Sequence, residues 1–409
     1  MDDSNFNTVA QNLVDGLENP GEITNIEYVE GLPHETPVDT LISDKNVDSP
    51  STAPVDPGDT SRFAFFGLAE ALGFTVDTEG KEKVYLWSYA DEFDINEIST
   101  VEKKKDKPFV ILNLADVQLC DLEDFFNFRT IKREIKYLVD AARPDLITLT
   151  GDQTWSNENL ISLKRLVGFL DSLRIPYAPV FGNHDYGNEM DSAVLSQRAC
   201  CDVYENGKYS LFSRGPTNIG ALGNYALNIV EDGAIVKTLY MLDSGYLDAL
   251  TDGQIEWFKW TAEGIKAATG AYSKGMCFMH KPLPEYSFAY RAYKLGEAEA
   301  MGDVHVNYSL SGSLQRGFFD EAKARNVSDV VCGHQHGNNF TICYEGVRLT
   351  FALKTGELGG FWRDETVNLN GATFFTLSGG ETTAQNVFVP RGEFEIKNSN
   401  NVYEKYSGN

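Results

Sequence analysis

Three apolar runs, each ending in polar residues and separated by amphipathic helices, constrain this chain most. Phe109-Val110-Ile111-Leu112-Asn113-Leu114 leads into Ala115-Asp116-Val117-Gln118, and Asp145-Leu146-Ile147-Thr148-Leu149-Thr150 leads into Gly151-Asp152. The third run, residues 175–181, leads into Gly182-Asn183-His184-Asp185. Near-continuous apolar strands are those covered on both faces. Between them, residues 129–142 place Ile131, Ile135, Leu138 and Val139 on one helical face, and residues 160–173 form the next helix. This alternation predicts parallel strands joined by right-handed crossovers. Such sheets place their sites beyond the carboxyl ends of the strands, where these polar residues fall.

The second half continues with less helix. Residues 239–243 read as a strand and 252–268 as a helix; strand 275–279 ends at His280-Lys281-Pro282. Strand 329–332 ends at Gly333-His334-Gln335-His336. Short alternating strands at 340–343, 348–353, 372–377 and 386–389 suit the edge of a second sheet. The expected fold is therefore α/β, with residues 107–390 as the main domain and 391–409 as a tail. Residues 1–106 read as an acidic N-terminal extension, with a helix near 7–17 and a linker near 45–60. Helical spacing follows over 62–74 and a strand pattern over 83–89, and Lys103-Lys104-Lys105 reads as a solvated run.

Composition excludes several classes of function. The net charge of -25 repels a nucleic-acid polymer, whose phosphates need Lys and Arg. A small phosphorylated substrate stays compatible, because bound dications reverse the local field. No apolar run is long enough for a transmembrane helix. Met1-Asp2-Asp3-Ser4 lacks a basic and apolar leader, which favours the cytoplasm over export with a removed leader. The six cysteines lack CxxC spacing, and most of them read as buried core residues. Oligomeric state is not encoded legibly.

Of six histidines, His184, His280, His334 and His336 lie at the ends of apolar strands. With Asp116, Gln118, Asp152 and Asn183 they make a mixed nitrogen and oxygen donor set. Such a set suits two divalent ions, Mn, Fe or Zn, with Mg as an option at the first position. Asp152 is the natural bridging carboxylate, and the pair would supply a bridging hydroxide for in-line attack on phosphorus.

The order Asp116-x-Gln118, Gly151-Asp152, Gly182-Asn183-His184-Asp185, His280 and Gly333-His334-x-His336 resembles the calcineurin-like metallophosphoesterase superfamily. Gly223-Asn224-Tyr225, Leu242-Asp243-Ser244-Gly245 and the segment from His280 to Tyr286 are similar to the purple-acid-phosphatase-like branch of fungi and plants. The resemblance implies two mixed β-sheets packed face to face, flanked by helices, with a dinuclear centre at the strand ends. It implies that Asp116, Gln118, Asp152 and His336 hold the first metal, and Asp152, Asn183, His280 and His334 the second. His184 would contact the phosphate and assist the leaving oxygen. Two positions depart from the pattern. Gln118 replaces the usual histidine and predicts a weaker or harder first position; Trp155 replaces the metal-bound tyrosine of purple enzymes and predicts no charge-transfer colour.

Loops 186–198, 200–217 and 282–310 carry Tyr186, Tyr204, Tyr209, Tyr286, Tyr290 and Tyr293, which either stack on a base or sugar or pin the loops. Asn183, His184, Asp185, Tyr186, Glu285 and Tyr286 are the candidates for substrate contact, with Lys281 and His305 on the same footing. Arg291 and Arg316 are either phosphate clamps or surface ion pairs. The expected activity is hydrolysis of a small phosphomonoester or phosphodiester. Nucleotide or lipid-headgroup phosphodiesterase activity is the second enzymatic reading. A catalytically weak scaffold with a degenerate first metal site is the reading from another class.

Overall fold

The computed structural model describes residues 85–119, 125–155, 159–186, 197–245, 249–306, 310, 317–356 and 370–389. The expectations for residues 1–84 and for the tail at 391–409 lie outside these. In chain order, β1 (Ser99–Glu102) and β2 (Phe109–Leu114) precede α1 (Phe125–Ala142), β3 (Leu146–Thr150), α2 (Asn159–Leu173) and β4 (Tyr177–Val180). Next come α3 (Gln197–Glu205), β5 (Tyr225–Glu231), β6 (Ala234–Met241), α4 (Asp252–Thr269), β7 (Gly275–Phe278) and α5 (Glu285–Leu295). After β8 (Glu299–Ala300) and β9 (His305–Val306) follow α6 (Phe318–Ala324), β10 (Val327–Cys332), β11 (Asn338–Tyr344) and β12 (Val347–Phe351). The hairpin of β13 (Gly371–Ser378) and β14 (Glu381–Phe388) completes the described elements.

Two mixed sheets result. The smaller runs β14-β13-β2-β3-β4, with β2, β3 and β4 parallel and β13 antiparallel to β2. The larger runs β1-β5-β6-β7-β10-β12-β11-β8, with β9 on β11 and parallel pairing from β6 through β7 and β10 to β12. Ile111, Leu149, Met276, Phe278 and Phe375 belong to one buried core, where Phe278 meets Phe375 edge-on across the two sheets at 6.4 Å. Ile131, Ile135 and Leu138 of α1 and Leu163, Leu166 and Leu170 of α2 join that core from the outer face of the small sheet. A second core under the large sheet gathers Tyr240, Phe258, Tyr286, Phe318, Phe340 and Phe351. The result is the helix, sheet, sheet, helix sandwich, and its parallel strands end at a common edge. Among the described residues no helix is long and apolar enough to cross a membrane.

Five details differ from the sequence-based expectation. The sheet starts before residue 107, because β1 pairs in parallel with β5. Lys103 is only 8% exposed and holds Glu231 at 2.8 Å, so it is no solvated linker residue. Residues 85–88 form no strand: Asn218 pairs with both backbone groups of Trp87, and the indole packs edge-on against Trp260. The β13–β14 hairpin returns to β2 in the small sheet, not to the edge of the large one, and the 282–310 loop contains α5, β8 and β9.

A buried ionic cluster ties the sheets together. Lys237 on β6 donates to Asp329 Oδ2 at 2.8 Å, to Ser328 Oγ at 2.9 Å and to Thr382 Oγ1 of β14 at 3.0 Å. Arg348 Nε donates to the other Asp329 oxygen at 2.6 Å. Burial alone would raise the Asp329 carboxyl, but the Lys237 and Arg348 charges outweigh it and hold it below its ordinary value of 3.8. A depressed carboxyl stabilises the fold above the unfolded value and loses that contribution as pH falls through the folded one. Asp329→Asn is expected to cost about 3–5 kcal/mol in urea unfolding at neutral pH, because it strands a buried ammonium. The gap between the two proteins should narrow below pH 3.8.

Candidate metal centre

Every polar residue that closes an apolar strand comes to one end of the sandwich. Asp116 and Gln118 follow β2, Asp152 follows β3, and Asn183 and His184 follow β4. His280 follows β7, while His334 and His336 follow β10. The backbone is bent sharply to present them. Asp116, Gln118, Asp152 and His334 all have positive φ (50°, 46°, 53° and 73°), a region L-residues seldom occupy and that costs about 1–3 kcal/mol each.

Close packing of the strand ends explains three glycines. A Cβ on Gly151 would lie 2.5 Å from the His280 ring, one on Gly182 2.2 Å from Asp152 Oδ1, and one on Gly333 2.5 Å from Asp116 Oδ2. Each glycine precedes one polar residue of the site and abuts another from a different strand. No larger residue fits without moving the donors.

Two donor groups share Asp152. Asp152, His280 and His334 form one, and Asp116, Asp152 and His336 the other; within each, the candidate ligand atoms lie within 4.8 Å of one another. His280 Nε2 lies 3.3 Å from Asp152 Oδ2, 3.1 Å from Asn183 Oδ1 and 3.2 Å from His334 Nδ1. His336 Nε2 lies 3.3 Å from Asp116 Oδ1 and 3.1 Å from Gln118 Nε2. Although only one residue separates them, His334 and His336 fall in different groups.

The surroundings select the donor atoms. His280 Nδ1 lies 2.9 Å from the Thr150 carbonyl, which only accepts, so Nδ1 carries the proton and Nε2 is left to bind a metal. Ser244 Oγ accepts from the His280 and Lys281 amides at 3.0 and 2.8 Å. Asp243, beside it, accepts from the Tyr186 hydroxyl at 2.5 Å. The His334 amide donates to both Asp116 oxygens at 3.0 and 3.1 Å.

Burial would raise the Asp116 and Asp152 carboxyls, yet His336 and His280 hold the first below its ordinary range and His280 and His184 the second. His280 would be lowered by burial, but the Asp152 charge pushes it up to about 9, while burial and the neighbouring His280 push His334 down to about 3. One imidazole proton therefore faces the two carboxylates. A dication can take its place, since carboxylate oxygens and correctly turned imidazoles converge here. The residues fit two divalent ions.

His184 is 22% exposed, and its Nε2 faces Asp152 Oδ2 at 3.9 Å. Trp155 packs against its ring at 5.5 Å. The His184 amide donates to Asp152 Oδ1 at 2.9 Å, and its carbonyl accepts from Asn159 at 2.6 Å. The backbone groups of residue 184 are thus anchored independently of its ring.

Several of the other expected substrate contacts have structural roles. Asp185 is fully buried, accepts from the Gly182 and Thr154 amides at 2.8 and 3.0 Å, and so closes its own turn. Burial and the Asp152 charge push its carboxyl up to about 7. Tyr186 spends its hydroxyl on Asp243 and packs its ring on Phe181. Tyr286 lies in the second core, 1% exposed, with its hydroxyl donating to the Val330 carbonyl at 2.8 Å; it has no face left for a substrate. Tyr204 packs on Phe181, and Tyr290 stacks on Phe340, so both pin their segments. Glu285 opens α5 half-buried, and Arg291 is exposed on the same helix. His305 sits in β9 opposite Asn339, and Arg316 lies outside the described residues.

Lys354 is the residue that pattern reading missed. It is 3% exposed, and its Nζ donates to the Asp116 carbonyl at 2.5 Å and to Gln118 Oε1 at 3.3 Å. Burial pulls its ammonium down to about 8, against the opposing charges of Asp116, Asp152 and Glu134. Its only sequence signal was its place just past an apolar strand.

Comparisons of sequence and structure find related proteins. The family model for calcineurin-like phosphoesterases matches residues 109–338. Phosphatase DCR2 of Saccharomyces cerevisiae is 25% identical over 269 residues, covering 57% of this chain and 45% of that protein. The probable inactive purple acid phosphatase 28 of Arabidopsis thaliana is 23% identical over 240 residues, covering 53% of this chain and 59% of its own. The chain thus spans about half the length of these relatives. Among solved structures, a dimetal phosphatase from Danio rerio aligns with TM-score 0.45 and 11% identity, over 68% of this chain and 95% of that one. The purple acid phosphatase PPD1 of yellow lupin aligns with TM-score 0.45 and 11% identity, over 69% of this chain and 52% of its own. With the family model covering residues 109–338, more than half of its length, this chain belongs to the calcineurin-like phosphoesterase family.

Proposed function

We propose that this protein is a dinuclear metal-dependent phosphoesterase that hydrolyses a small phosphomonoester or phosphodiester by direct displacement. The observation that supports this most is the sharing of Asp152 between two donor groups. Asp116, Asp152 and His336 would hold one ion, and Asp152, Asn183, His280 and His334 the other. Bound dications would supply an activated water and neutralise charge at phosphorus. The chain's own residues do the rest. Buried Asp152 fixes the spacing of the two groups, and Thr150 and Ser244 hold His280 in its ligating tautomer and position. His184, half open beside Asp152, would bind the phosphoryl group and protonate the leaving oxygen.

Two observations favour a second reading, a scaffold without turnover: Gln118 stands where a ligand is expected, and one relative carries "inactive" in its name. Elemental analysis decides between them when paired with hydrolysis of p-nitrophenyl phosphate and bis(p-nitrophenyl) phosphate after loading with Mn, Zn or Fe. About two ions per chain with metal-dependent turnover is the expected result, and the preferred ester names the class. One ion and no turnover under any loading would overturn the enzyme reading. Trp155 packs on His184 where a purple enzyme has its tyrosine ligand, so iron-loaded protein should lack the tyrosinate absorption band.

A further inference from the structure

Lys354 changes what Gln118 can do. An isolated parallel bridge between Ala115 and Lys354 brings the lysine under the loop that carries Asp116 and Gln118. Its ammonium only donates, so the Gln118 amide atom 3.3 Å away must be the oxygen. The other amide atom is then the NH2 group, and it lies 3.1 Å from His336 Nε2. An amide NH2 offers no lone pair to a metal. While the lysine contact holds, position 118 presents a donor to the first metal position.

We infer that Lys354 is a positioning residue that turns Gln118 from a metal ligand into a hydrogen-bond donor for an oxygen of the bound phosphate. The first ion is then held by Asp116, Asp152 and His336 alone and is the weaker of the two. This inference rests on the dinuclear reading above. It also gives a physical account of the missing histidine: the buried lysine claims the amide oxygen, and the amide nitrogen is left beside His336 Nε2.

The test is a Mn²⁺ titration of the metal-free protein, following the electron paramagnetic resonance signal of free Mn²⁺. Wild type should bind two ions, one more weakly. Gln118→Ala should leave the weaker Kd within about three-fold, while Gln118→His should tighten it about ten-fold or more by adding a ligand. Lys354→Met should also tighten it by freeing the amide oxygen, and the gain should vanish in the double variant Lys354→Met with Gln118→Ala. Inhibition by inorganic phosphate should weaken about two- to ten-fold in Gln118→Ala, the size of one hydrogen bond.

Two bound ions with a ten-fold or greater loss in Gln118→Ala would make the amide a ligand and overturn this inference alone. Tightening in Lys354→Met that survives in the double variant would reduce the lysine to a charge effect and overturn the positioning role. Unchanged phosphate inhibition in Gln118→Ala would remove the donor role. If Lys354→Met fails to fold, the two Gln118 variants decide the matter. A single ion in both wild type and Gln118→His would remove the dinuclear centre, and the inference with it.

Discussion

Asp152→Asn is expected to release both metal ions and bring hydrolysis to the level of metal-free protein. Asp152 belongs to both donor groups, so one substitution acts on two sites. Changes to residues that merely orient a ligand cost about 10–100-fold in affinity or activity. Loss of a carboxylate proposed to serve both positions should therefore cost on the order of 10⁴-fold in turnover. The amide of Asn is close in shape, so the turn is kept; the His184 N–H, 2.9 Å from Oδ1, still finds an oxygen if the amide is turned accordingly. Circular dichroism should then change little while elemental analysis falls from two ions toward none. Retention of both ions with near-normal turnover would show that Asp152 is no bridge, and the proposed centre would have to be redrawn around Asp116.

Much of this site was legible because parallel strands align their ends. Once Asp116, Asp152, Asn183, His280 and His334 each closed an apolar run, a common edge followed from the pairing of β2, β3 and β4 and of β7 with β10. What pattern could not tell was which polar residues serve the centre and which serve the chain. Asp185 adjoins His184 and looks equally suited to contact a substrate, but its carboxylate is used three residues back on Gly182. Tyr286 falls in a loop by composition, yet the helix Glu285–Leu295 turns it inward onto Phe351.

Long-range pairing accounts for the other differences. Ser99-Thr100-Val101-Glu102 has no apolar alternation and becomes a strand only because β5 offers a partner. Residues 85–88 have aromatic strand composition but find an asparagine side chain where a strand would need a neighbour. Alternation identifies β13 and β14 as strands without saying which sheet receives them. Lys354 was invisible for the same reason. It stands 236 residues from Gln118, and only the bridge to Ala115 brings them together.

His184→Ala should lower kcat by about 10²–10⁴-fold with metal content unchanged, the range for losing a general acid. The backbone explains why the loop should survive. The amide of residue 184 donates to Asp152 and its carbonyl accepts from Asn159, and alanine keeps both groups. What disappears is the imidazole between Trp155 and the Asp152 carboxylate. A leaving-group series separates its two candidate roles. If the ring protonates the departing oxygen, an alkyl phosphate, whose alkoxide is a poor leaving group, should lose far more than p-nitrophenyl phosphate, whose phenolate needs no proton. An equal loss for both esters would mean that His184 binds phosphoryl oxygens and transfers no proton. Normal turnover of both would take His184 out of the reaction altogether and leave the paired metal positions to account for catalysis without it.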